Sequence, residues 1–238
     1  MVAPFRCMPN CGYCCTISPV TVFPHEVIIL SKLAEELDVN DLAFKPGYVV
    51  TDIKNGVRVA LSYLMQLNSK GICPFLNPED KTCKVHSLYK PLTCRSFPYL
   101  PRVIRYVIDP ELKLVDFTVE FVVSTLCPVV RNNYTQDDLE AMISNVRIAV
   151  KVMPREVAAA EEAIRVRKLY ADALTALWRA GYVELRGGSE GNNTNWPIVN
   201  AFEYIRQFIP PHNSRQICTE HIPGDKEIRS VIDYPISV

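Results

Sequence analysis

Four of this chain's nine cysteines crowd into nine positions near its start, in CMPNCGYCC, residues 7 to 15. Cys7, Cys11 and Cys14 are spaced C-x3-C-x2-C, and adjacent Cys15 adds a further thiol. A short loop with a glycine, here Gly12, lets several thiolates converge on one centre and lets backbone N–H groups approach the sulfur atoms. Cys73, Cys83 and Cys94 follow in GICPFLNPEDKTCKVHSLYKPLTCRSFPYL, and Cys127 stands before Pro128. These eight thiols suffice for two four-coordinate sites, or for one cluster with spares, and spacing alone does not pair them.

Disulfides are not needed to hold such a chain together. With 238 residues, 48% of them apolar, it buries a real core unaided. The segment MVAPFR before Cys7 is too short for the apolar stretch of a signal peptide, and no later run reaches the length of a membrane span. The cytoplasm is therefore the expected compartment, where clustered cysteines more often bind metal or do redox work than form structural disulfides. The 26 basic and 26 acidic residues balance, so no global field draws the chain to nucleic acid or to an anionic membrane. The expected partner is a protein, as ligand or as substrate.

The pattern predicts an α+β fold in two parts. Residues 1–132 are expected to form a small cysteine-rich metal-chelating domain with a short, largely antiparallel sheet, and residues 133–238 a mainly helical region. Pro24 suits a helix first turn, and Val27, Leu30, Leu33, Ala34 and Leu37 repeat at helical spacing behind it. Tyr48 to Thr51 and Val57 to Leu67 read as strands around the turn Lys54-Asn55-Gly56; Val103 to Ile108 and Leu114 to Val123 read as two more, joined across Asp109-Pro110. Thr135 and Asp138 make a capping box for a helix with Leu139, Met142, Ile143, Val146, Val150 and Met153 on one face, ending at Pro154. A second helix runs from about Glu156 to Ala180 with Gly181 as its C-cap, and residues 200 to 207 add a short one.

Four thiolates satisfy zinc and iron–sulfur centres alike, so ligand type does not separate them. The spacing does lean one way: it is not the pair of C-x2-C knuckles of zinc ribbons, and C-x3-C-x2-C is a recurring cluster spacing. The cofactor reading is thus an iron–sulfur cluster, 4Fe-4S in type, or else zinc.

The order FRCMPNCGYCC, then C-P-F-L, C-K-V-H, and K-P-x-x-C-R-x-F-P, across residues 5 to 98, with a trailing Cys127-Pro128, resembles the CxxCxxCC family of zinc- or iron-chelating domains. This YkgJ-like family also includes a flagellin lysine-N-methylase. The resemblance implies chelation by Cys11, Cys14, Cys15, Cys73, Cys83 and Cys94, with Cys7 and Cys127 completing the set. Three residues rather than two separate Cys7 from Cys11, His86 stands where the family often has Tyr, and Lys90 stands where Arg usually precedes the proline. His86 is therefore read as a packing or hydrogen-bonding residue. The first three cysteines also resemble the motif of radical S-adenosylmethionine enzymes, but no alternation of strands and helices follows, no Gly-Gly-Glu is present, and Cys15 would close the open iron. Methylation, radical or otherwise, stays a family extrapolation, because the chain has no Gly-rich strand-to-helix loop for the cofactor.

Arg95, directly after Cys94, is the candidate for binding an anionic group or offsetting thiolate charge. Phe97, Pro98 and Tyr99 are expected to form a lid excluding water from the centre. His212, Cys218 and His221 include a C-x2-H pair and are read as incidental. LTALWRAGYVELRGG, with Arg165, Arg167, Lys168 and Arg179 nearby, resembles a winged-helix junction, yet reads more simply as a helix, its C-cap and a strand. Two functions of different class survive: an iron–sulfur protein serving redox or protein-modification chemistry, and a zinc-stabilised interaction module without catalysis.

Overall fold

The computed structural model describes residues 3–187 and 195–208. Its architecture is α+β. A single turn of helix, α1 (Cys14–Ile17), leads through β1 (Val20–Val22) into α2 (Pro24–Glu36). Four short strands follow: β2 (Phe44–Pro46), β3 (Val49–Asp52), β4 (Val57–Ala60) and β5 (Tyr63–Met65). After a long loop come α3 (Leu92–Ser96) and a hairpin of β6 (Tyr99–Asp109) and β7 (Leu114–Val123). The helical part comprises α4 (Pro128–Asn133), α5 (Gln136–Ser144), α6 (Val146–Val152) and α7 (Pro154–Arg179), before β8 (Leu185–Arg186), β9 (Ile198–Asn200) and α8 (Ala201–Arg206).

The strands make three sheets where one was expected: β1-β5-β2, β8-β3-β4-β9, and the β6-β7 hairpin. All pairings are antiparallel except β4 with β9. The run Val57 to Leu67 is two strands because the chain changes sheets at Leu61-Ser62. There the Ser62 hydroxyl accepts the Tyr48 N–H at 3.0 Å, and the Ser62 carbonyl accepts the Gly47 N–H at 2.8 Å. Gly47 permits this approach, since a Cβ there would lie 2.7 Å from Ser62 Oγ.

The helix expected from 136 to 153 is likewise broken. The Thr135–Asp138 capping box forms at the start of α5, but Asn145 ends that helix and caps the next, its side chain accepting the Arg147 N–H at 3.0 Å. A short amide side chain that bonds its own backbone competes with the helical ladder. The break re-aims α6, so Met142, Ala149, Val152 and Met153 are buried while Ile143, Val146 and Val150 face solvent.

Helix α7 organises the rest. Ala160, Ala163, Ala171 and Ala173 of this helix are buried and let α3 and the β6-β7 hairpin approach closely. Leu174 and Leu177 are fully enclosed, each stabilising the fold by about 2 kcal/mol. The helix stops at Gly181, φ 79°: Gly181 N–H bonds to Trp178 C=O and Tyr182 N–H to Leu177 C=O, so the last carbonyls are satisfied by a left-handed residue. The largest core cluster draws on both sides of residue 132, joining Phe23, Val50, Val59, Leu61, Leu92 and Val115 to α7 and α8. Among the described residues no helix is long and apolar enough to cross a membrane.

Candidate metal centre

The eight cysteines between Cys7 and Cys127 are all free thiols, and the fold brings them into one neighbourhood from four stretches of chain. Cys11 lies in a tight loop between Asn10 (φ 52°) and Gly12 (φ 61°), both left-handed. A Cβ on Gly12 would press to 3.1 Å from Lys81 Cβ and 3.3 Å from Leu76, so this glycine lets the loop seat against the segment that carries Cys83. Cys14 and Cys15 then open α1, their Sγ atoms 4.0 Å apart. Cys15 also pairs with Cys73 through the side chain, and its carbonyl accepts the Cys73 N–H at 2.7 Å. Cys83 is held opposite Leu76 by an isolated bridge, Cys94 lies in α3, and Cys127 is the N-cap residue of α4.

Proton affinity follows from this crowding. The bond to Cys15, then burial, raises the Cys14 thiol. Cys15 gains from its contact with Cys14, but the pairing with Cys73 and burial outweigh that and leave it raised too. Burial first, and neighbouring thiols second, raise Cys7 and Cys94. Cys94 has an enclosed thiol although part of its residue reaches the surface. Burial also leads at Cys83 and Cys127. A soft cation would discharge such mutually repelling thiolates by replacing their protons. The donor set therefore fits zinc or iron, although among the described residues no three Cys, His, Asp or Glu side chains are closed to the spacing of a single ion.

The cation acting on this group is Lys90, which lowers the proton affinity of Cys7, Cys14, Cys83 and Cys94. Arg95 is exposed and acts instead on the buried carboxyl of Glu26. Glu26 itself is a residue that sequence reading passed over. It is wholly buried, accepts the N–H groups of Phe23 and Leu92 at 2.9 and 2.8 Å and the Tyr89 hydroxyl at 3.1 Å, and so fixes the loop on which Lys90 lies and from which α3 begins. Its one local signal was a glutamate three residues beyond the residue that starts a helix.

Phe97 and Tyr99 pack in the same cluster as Cys127, with Phe5, Val130 and Tyr134. His86 is exposed and its N–H bonds to the Cys83 carbonyl at 3.1 Å. The basic residues of α7 do not make a free patch: Arg165 pairs with Glu162 and Lys168 with Asp172. Arg167 is buried, bonded to Tyr106 Oη at 2.6 Å and stacked 5.0 Å over Phe23. His212, Cys218 and His221 lie outside the described residues.

A family model described as "CxxCxxCC: Putative zinc- or iron-chelating domain" matches residues 6–118. No curated protein and no solved structure matches the chain.

Proposed function

We propose that the chain, whose residues 6–118 match the model of the CxxCxxCC zinc- or iron-chelating domains, is a metal chelator, that Cys7, Cys11, Cys14, Cys15, Cys73, Cys83, Cys94 and Cys127 supply its metal ligands, and that they hold an iron–sulfur cluster. The observation that carries this reading is a chain of interacting free thiols, in which Cys14 lies 4.0 Å from Cys15 and acts on Cys7, Cys83, Cys94 and Cys127, Cys15 pairs with Cys73, and Cys11 acts on Cys7 and Cys127. The run Cys7-Cys11-Cys14 has a spacing that recurs among cluster proteins, which turns the choice to iron. Bound there, a cluster would supply electron transfer, in service of redox or modification chemistry on a protein substrate. The chain's own residues would prepare the ligands: Lys90 offsets thiolate charge, Glu26 holds the Lys90 loop in place, and Phe97 and Tyr99 keep water from Cys127. Free thiols in this number suit a reducing cytoplasm.

One observation favours zinc. Two thiolates on a tetrahedral zinc, each at about 2.3 Å, lie about 3.8 Å apart, close to the 4.0 Å between Cys14 and Cys15. Under that reading the protein is a zinc-stabilised interaction module. Anaerobic purification from iron-supplemented cells, with a visible spectrum and metal and sulfide analysis of one sample, separates the two. Brown protein with iron and acid-labile sulfide supports the cluster; colourless protein with stoichiometric zinc replaces it with the module.

A further inference from the structure

We infer that the surface around Cys7, made by residues 6–13, 81–90 and 126–131, is a docking face for a protein whose own contact surface is acidic. Met8, Tyr13, Leu88 and Leu126 supply its apolar part, and Arg6, Lys81, Lys84 and Arg131 its charge. The inference rests on the reading that the thiols serve chemistry on a protein, and adds where that protein binds and what charge it carries.

The N-terminal segment joins the three stretches. At one end Phe5 packs with Cys127, Val130 and Tyr134, its N–H bonded to Val152 C=O at 2.8 Å, while Tyr134 Oη donates to Ala3 C=O at 3.0 Å. At the other end Gly12 seats against Lys81 and Leu76, and Cys73 N–H bonds to Cys15 C=O at 2.7 Å. Residues 6–11 therefore cross from the side of α4 to the loop that carries Lys81, Lys84 and Leu88. Of the eight cysteines between Cys7 and Cys127, Cys7 alone is exposed, and it lies on this crossing.

Apolar side chains stand in water along the same stretches. Met8 is 50% exposed, Tyr13 37%, Leu88 51% and Leu126 54%. Met8 follows Cys7, Tyr13 precedes Cys14, Leu126 precedes Cys127, and Leu88 lies in the loop after Cys83, where its N–H bonds to Val85 C=O at 3.2 Å. Large apolar groups left exposed and rimmed by charge have the make-up of a protein interface.

Charge names the partner. The whole chain balances 26 basic against 26 acidic residues, but residues 5–15, 73–90 and 125–131 carry Arg6, Lys81, Lys84, Lys90 and Arg131 against Glu79 and Asp80. Among the described residues none of these five cations forms an ion pair or a side-chain hydrogen bond, whereas on α7 both Arg165 and Lys168 are paired. Lys90 is half-buried; the other four are exposed. Carboxylates placed opposite them would steer the encounter and fix its register. A nucleic acid would match the charge, but Met8, Leu88 and Leu126 offer its phosphates no hydrogen bond, and the exposed cations come from loops and the six-residue α4 rather than from a helix long enough to enter a groove.

Titration of the isotope-labelled full chain, kept reduced, with a glutamate-rich peptide carrying leucine at every third position, followed by amide chemical shifts, tests the face. Saturable shifts confined to residues 6–13, 81–90 and 126–131 are expected, and they should vanish in about 1 M salt, where charges are screened within about 3 Å. Lys81→Glu/Lys84→Glu should weaken binding about tenfold. A single-stranded oligonucleotide, and a lysine-rich peptide with the same leucines, should leave the spectrum unchanged. No saturable binding of the acidic peptide, shifts that map elsewhere, or equal binding of the lysine-rich peptide overturns the proposal; tighter binding of the oligonucleotide overturns it in favour of a nucleic-acid face. Should the double variant fail to fold, the shift map of the native chain decides. The titration is run with and without zinc: a chain that takes up neither zinc nor iron yet binds the acidic peptide overturns chelation and leaves the face standing, whereas one that takes up metal and binds no peptide overturns the face and leaves chelation standing.

Discussion

The carboxylate of Glu26 accepts the backbone N–H of Leu92 at 2.8 Å, across 66 residues of sequence. With the Phe23 N–H and the Tyr89 hydroxyl as further donors, it pins the start of α2 to the loop that runs into α3 and Cys94. Burial raises its carboxyl, and the two N–H groups, the hydroxyl and Arg95 oppose the rise. Glu26→Ala removes the acceptor from three donors in a dry place, which should cost about 3 kcal/mol. Urea unfolding of the metal-free chain measures that cost, and alkylation of Cys94, slow in the native chain, should quicken. A loss below about 0.5 kcal/mol would mean that water or a shifted side chain takes over the donors.

Why Glu26 escapes a reading of the sequence, when α2 does not, is a matter of range. Pro24, Leu30 and Leu33 announce a helix through contacts three and four residues apart, and the Thr135–Asp138 box and Gly181 announce helix ends in the same local way. Leu92, Tyr89 and Ser62 acquire their partners only when distant segments meet, so neither the anchoring role of Glu26 nor the change of sheets at Leu61-Ser62 has a periodic signature. Asn145 is an intermediate case: its competition with the helical backbone is local, but the apolar residues on either side of it keep helical spacing and hide the break. For the thiols, residue type and clustering along the chain were legible, whereas the core cluster that a segment joins, Cys73 beside Val22 and Phe75 but Cys127 beside Val130 and Tyr134, depends on distant segments meeting. The cation could not be assigned by proximity in sequence either: Arg95 adjoins Cys94 yet acts on Glu26, while Lys90, four residues before Cys94, acts on the sulfurs.

Lys90 favours the thiolate form of Cys7, Cys14, Cys83 and Cys94, and a metal must displace the protons of those groups. Lys90→Gln should therefore weaken metal uptake near neutral pH by about tenfold and move the uptake curve to higher pH, while Lys90→Arg restores both. Competition with a chelator across pH 6 to 9 reads the shift. Equal weakening by Gln and Arg would point to packing rather than charge.

His25 makes the folded chain sensitive to mild acid. Its ring lies between Phe23 and Tyr170, with Nδ1 3.0 Å from Tyr170 Oη, and burial lowers it from 6.5 to about 4 against the smaller opposing pull of Glu162. Between those values the unfolded chain takes up a proton that the folded chain refuses, so stability is retained above pH 6.5 and lost as pH falls toward 4. The loss from this group amounts to about 3 kcal/mol. Burial raises the Glu26 carboxyl, which contributes with the opposite sign, so the readout is a difference: His25→Gln should gain about 3 kcal/mol relative to the native chain between pH 7 and pH 4. A constant difference across that range would show that the ring protonates without disturbing the fold.

Asp52 does for the C-terminal segments what Glu26 does for the α3 loop. Wholly buried at the end of β3, it accepts the N–H groups of Lys54 at 3.0 Å and Glu184 at 2.9 Å, the Asn55 amide at 2.6 Å and the Tyr204 hydroxyl. It thereby shapes the β3-β4 turn from within and ties that turn to the segment entering β8 and to α8. Asp52→Ala leaves the buried Tyr204 hydroxyl and the half-buried N–H groups of Lys54 and Glu184 without this acceptor and should cost about 3 kcal/mol. Because α8 has only six residues, too few to hold a helix in isolation, its backbone amides should lose exchange protection before those of α7 do. Hydrogen exchange resolved by segment distinguishes this local release from general unfolding: if α7 and α8 lose protection together, the Asp52 cluster holds the whole core, and the α8 region is not a separately detachable layer.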